Sequence, residues 1–152
     1  MKRLALLALA CLALAASAAG CGGGGGTDSS SGGGEFAAEA NAACARANQK
    51  VAALPLPQDE ERLLPYLDET EAVVEALQRE IAALGGSGGA AKAYLAGLQK
   101  SVTVLNEMSN AARSRNIGAV SEFANQLAEL RLAVLAEAAG LATCAKAPPV
   151  QP

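Results

Sequence analysis

Residues 35–146 predict an all-α fold, an antiparallel four-helix bundle. Apolar residues recur at spacings of three and four along four successive stretches. Helix breakers separate them: Leu54-Pro55-Leu56-Pro57, Gly85-Gly86-Ser87-Gly88-Gly89 and Arg113-Ser114-Arg115-Asn116. No stretch carries a strand signal, and the short connections favour neighbours that run up and down in turn.

Helix one is expected from about Glu35 to Leu54, with Phe36, Ala40, Cys44, Ala47, Val51 and Leu54 on one stripe. The two prolines after it restrict the residues before them and force an extended link. Helix two begins near Asp59, a side chain suited to accept from the free N–H groups of a first turn. Glu60 and Glu61 then face the positive end of the dipole. Its stripe is Leu63, Leu67, Thr70, Val74, Leu77, Ile81 and Leu84, with Thr70 bonded back to its own helix. Pro65 predicts a kink or a restart, with the proline at the first position of the longer piece. Glu71, Glu75 and Arg79 belong to the solvated side. Helix three spans about Ala90 to Arg113, with Ala91, Leu95, Leu98, Val102, Leu105, Ser109 and Ala112 inward. Asn116 caps helix four, expected unbroken from Ile117 to Ala145 on Val120, Phe123, Leu127, Leu130, Val134, Ala138 and Leu141. The tail 147–152, with Pro148-Pro149, is expected to fray.

The segment before the bundle is of another kind. Lys2 and Arg3 precede an apolar run from Leu4 to Ala16, and small residues follow as far as Gly20. At roughly 17 residues the run falls short of the ~20 needed to span a bilayer, and residues 1–20 read as an export signal. Ser17-Ala18-Ala19-Gly20-Cys21 resembles the lipobox of a bacterial lipoprotein, although Ala18 stands where leucine is commoner. The small residues let a peptidase approach the backbone, and the thiol is the nucleophile that takes up lipid. The resemblance implies that Cys21 becomes the first residue of the mature chain and holds it, palmitate included, to the membrane. A plain secretory cut after Ala16-Ser17-Ala18 is the competing reading. Residues 21–34 then form a Gly/Ser tether, its dozen or so residues spanning about 20 Å. No strand precedes these glycines and no Lys-Ser/Thr follows, so they are not a phosphate loop.

Cleavage before Cys21 leaves 10 Lys+Arg against 15 Asp+Glu, a net charge of −5. No basic patch invites nucleic acid, and attachment to the membrane must come from acyl chains rather than anionic head groups. Of the four cysteines, Cys11 leaves with the signal and Cys21 is consumed by lipid. Cys44 and Cys144 remain, an even pair whose default outside the cytosol is a disulfide. A zinc site is the alternative, and two thiols with no histidine anywhere in the chain argue against it. In an unbroken helix four Cys144 stands ~40 Å above Ile117, whereas Cys44 stands only ~15 Å above Leu54. The extended link recovers ~13 Å, so the bridge requires helix one docked high or helix two entering part-way up.

Ala40-Asn41-Ala42-Ala43-Cys44-Ala45-Arg46-Ala47-Asn48, the proline joint and Gly140-Leu141-Ala142-Thr143-Cys144 resemble a group of small, Ala-rich actinobacterial lipoproteins. The resemblance covers nearly the whole chain. It implies lipidation and a paired Cys44 and Cys144, and no activity.

The chain lacks the side chains of most catalytic sites. With no histidine there is no His-based triad and no Glu-x-x-His di-iron site. Asp68, Glu69, Glu71 and Glu75 cluster on helix two and read as a solvated face rather than a calcium or acid/base site. Asn41 and Asn48 flank the helix-one stripe and read as register-fixing residues, with recognition of a ligand or partner as the alternative. Tyr66 and Tyr94 are expected to gather where helices two and three pack. The expected function is a lipid-anchored, non-enzymatic helical interaction domain on the extracytoplasmic face of the cell membrane, with an envelope protein as partner and no cofactor. The alternative is a small-ligand binding or sensing module with a cavity among Leu98, Val102, Phe123 and Leu127.

Overall fold

The computed structural model describes residues 32–146; the signal 1–20, Cys21, the tether as far as residue 31 and the tail 147–152 lie outside the described residues. Every regular element among the described residues is a helix, in the order α1 (Gly32–Ala52), α2 (Glu60–Ala83), α3 (Gly89–Arg113), α4 (Ile117–Glu129) and α5 (Leu132–Ala138). α3 is central and packs against α2, α4 and α5, while α1 packs along α2. Asp68 meets Arg113 and Glu71 meets Asn106, so positions advance along α2 as they retreat along α3.

Capping follows the sequence closely. Asp59 Oδ1 accepts from the Arg62 N–H at 2.9 Å and Asn116 Oδ1 from the Ala119 N–H at 3.1 Å. The Thr70 hydroxyl donates to the Tyr66 carbonyl at 2.7 Å, as expected of a polar residue in an apolar stripe. Three expectations need correction. α1 begins at Gly32 rather than Glu35, taking up one turn of glycines that bring no side chains to place. α2 runs unbroken through Pro65. The proline falls in the second turn, where it forfeits one backbone hydrogen bond, and the Asp59 cap holds the helix start ahead of it.

The third correction concerns the fourth segment, which is not one helix. It breaks at Arg131, in the left-handed region at φ 48°, and stops again at Gly140, at φ 74°. The cause lies in the apolar pattern. Val120, Phe123 and Leu127 face inward, and so do Leu132, Leu135, Ala136 and Ala139. On one straight helix those two sets stand roughly a third of a turn out of phase. A break lets both reach the core, and it leaves Val134, expected inward, 56% exposed. The second stop has the hydrogen bonds of a Schellman cap, Gly140 N–H to Glu137 O at 3.0 Å and Leu141 N–H to Ala136 O at 2.8 Å. Leu141 is thereby fully buried.

The apolar interior divides in two. The first core gathers Ala40, Ala43, Cys44, Ile81, Tyr94, Leu98, Ala136 and Leu141. The second gathers Leu67, Leu105, Met108, Ala111 and Val120, drawn from α2, α3 and α4.

Candidate functional site: the Cys44–Cys144 clasp

The two shortened helices turn the chain back so that Cys144 arrives beside α1. The Cys44 and Cys144 sulfurs stand 2.00 Å apart, with 5.0 Å between the Cα atoms. An unbroken helix four would have carried Cys144 past α1, so the breaks at Arg131 and Gly140 resolve the mismatch in height. Cys44 lies on the inner face of α1 beside Ala40 and Ala43, whose small side chains leave room for the returning turn. The Cys144 sulfur comes within 3.7 Å of the Ala40 carbonyl oxygen.

Two asparagines hold that turn on either side of the sulfurs. Asn41 Oδ1 accepts from the Thr143 N–H at 2.7 Å, while its amide donates to Ala37 O in its own helix at 2.8 Å. The Asn48 amide donates to Thr143 O at 3.3 Å and to Lys146 O at 3.2 Å. Positions 41, 44 and 48 share one helical stripe, so both asparagines and the cysteine meet the same incoming segment. Both asparagines are thus engaged within the domain. The helix pattern hid their partner, because the continuous helix assigned to residues 117–145 would have satisfied the Thr143 backbone by itself.

Tyr94 closes the inner side. Its hydroxyl lies 3.8 Å from the Cys44 sulfur, and burial pushes the phenol up to about 12. Tyr66 belongs to the second core, so the two tyrosines do not gather as expected.

Three of the four clustered helix-two carboxylates make exposed pairs within the domain. Asp68 takes both oxygens to Arg113 at 3.0 and 3.1 Å, Glu71 accepts from Asn106 at 3.1 Å, and Glu75 pairs with Arg79 at 2.7 Å. Glu71 bridges to α3 at an exposed contact, so it and Glu75 both stay on the solvated side. Among the described residues no group of three or more His, Cys, Asp or Glu side chains could hold a metal ion. Of the buried hydroxyls, Ser101 donates to Leu98 O at 2.8 Å and Ser109 has no hydrogen-bond partner. Of the residues expected around a cavity, Leu98 belongs to the first core and Phe123 and Leu127 pack against the second. A shallow open groove lies elsewhere, along Lys100, Thr103, Val104, Gln126, Glu129 and Leu130. Among the described residues no helix is long and apolar enough to cross a membrane. What the site can undergo chemically is thiol–disulfide exchange. No protein-family model, curated protein or solved structure matches this chain.

Proposed function

We propose that the chain is a lipid-anchored cell-envelope protein whose helical domain is non-enzymatic and presents an interaction surface on the extracytoplasmic face of the membrane. One observation carries this reading: Cys44 and Cys144 stand at bonding distance. A structural disulfide belongs to an oxidising compartment, in keeping with the export signal read in residues 1–20. Their pairing leaves Cys21 as the one cysteine of the exported chain outside the pair, at the position where a lipobox takes lipid. An acidic mature chain adds no attraction to anionic head groups, so the membrane contact falls to the acyl chains. The anchor and the domain together suit a protein that meets another protein of the envelope. The small-ligand reading has less support, because Leu98 belongs to one core and Phe123 and Leu127 to the other.

Metabolic labelling with an alkyne palmitate tests the anchor. The wild-type chain expressed in an actinobacterial host is expected to take up label and sediment with membranes. Cys21→Ser is expected to do neither. An unlabelled chain in the medium that starts at Ala19 would end the proposal. Cross-linking in intact cells tests the interaction, and the expected result is a discrete adduct with an envelope protein.

A further inference from the structure

α1 is fastened to the domain in a way that sets it apart from the other long helices. Its buried positions are Ala40, Ala43, Cys44 and Ala47, which together offer little apolar area. The second core contains no residue of α1. What compensates is covalent and polar: the sulfur–sulfur bond, the two asparagines on the returning turn, and the exposed Arg46–Glu80 pair on α2. The polar contacts are individually weak, and exposed ion pairs hold little in water. Without the bond, α1 must stay docked through Phe36, a few alanines and these weak polar contacts.

We propose that the Cys44–Cys144 bond is a redox latch: its reduction frees α1 while the remainder of the domain stays folded on the second core. The two cysteines differ in exposure. Cys44 is 1% exposed, whereas Cys144 is only partly covered. A dithiol reductant therefore attacks at Cys144. Its thiolate forms a bond to the Cys144 sulfur, and the Cys44 sulfur departs with the bonding electron pair. The second thiol of the reductant then attacks its own sulfur in the mixed disulfide and displaces Cys144. The reductant ends as a disulfide, and both cysteine thiolates take protons from solvent. α1 then leaves the first core and uncovers Ile81, Tyr94 and Leu141, an apolar surface that the oxidised domain hides.

The inference concerns the folded domain and does not depend on the lipid. It is tested on residues 21–152 carrying Cys21→Ser, so that no third thiol takes part. Amide hydrogen exchange is followed before and after dithiothreitol. Residues 36–52 are expected to exchange about 100-fold faster after reduction, with α3 and α4 amides still protected. A dithiol reductase whose second cysteine is replaced by serine is expected to be trapped on Cys144. Unchanged protection of α1 overturns the latch. Simultaneous loss of protection in every helix overturns it equally, since the domain would then unfold as one unit. Trapping on Cys44 reverses the order of attack and counts against the proposal as well.

Discussion

Arg115 sits at φ 56° in the position after the α3 C-cap, where a side chain crowds its own carbonyl. The hydrogen bonds there, Arg115 N–H to Ala112 O and Asn116 N–H to Ala111 O, both at 2.9 Å, form the same cap that Gly140 makes at the end of α5. Arg115→Gly is therefore expected to raise unfolding free energy by about 0.5–1 kcal/mol, after the added freedom of the unfolded chain is offset. The urea midpoint measures it, and a lower midpoint would contradict the account. Ser109 argues in the same currency. Its hydroxyl is fully buried and unpartnered, so Ser109→Ala is expected to stabilise by roughly 1 kcal/mol instead of costing a hydrogen bond. Tyr94 gives a pH dependence. Its folded pKa is raised by burial from the ordinary 10.0 to about 12, so the folded state keeps the proton longer than the unfolded one. The stabilisation is complete below pH 10 and is lost as pH rises from 10 to 12, on the order of 2–3 kcal/mol. Denaturation of wild type and Tyr94→Phe across that window should show a fall in the wild type that the variant lacks.

The helices reveal where periodicity is informative and where it is ambiguous. The caps at Asp59 and Asn116, the stripe of α1 and the end of α3 were legible, because each rests on local chemistry that the sequence displays directly. The run Leu127 to Leu141 was not. Leu130, Leu132, Val134 and Leu135 lie on several faces at once, so a single stripe through Val134 fitted as well as a broken helix. The missing signal was on α3. Gly97 lies within a helix, at a cost of about 1 kcal/mol relative to alanine, and its place is explained only by what packs on it. A methyl group there would come within 2.8 Å of Leu132 Cδ2 and 2.9 Å of Leu135 Cδ1. The glycine is the seat of α5. Gly97→Leu is accordingly expected to cost about 1–3 kcal/mol and to strip amide protection from Leu132–Ala138 before it affects α4. Equal loss across both helices would show that they are one unit. The clasp was half legible: the cysteine pair could be proposed from arithmetic, whereas Asn41 and Asn48 could be noticed but not given a partner.

For the whole molecule, the bond between Cys44 and Cys144 closes a loop at a sequence separation of 100. By loop-closure entropy this is worth at most ~4.7 kcal/mol, a large share of the stability of a domain this small. Removing both sulfurs with Cys44→Ala and Cys144→Ala is expected to lower stability by about 3–4.5 kcal/mol, read from urea melts, with little further effect of reductant on the double variant. A domain whose midpoint is unmoved would show that the two cores suffice without the bond. The position of the bond also governs how the domain meets mechanical load. Tension applied between the two ends of the described chain can extend only the residues outside Cys44 and Cys144. Everything between them is shunted by the sulfur–sulfur bridge and feels no pull. A domain hauled on by its leading end would yield the first three turns of α1 and then hold its contour length, a short, fixed extension that a force spectrometer would record as one small step.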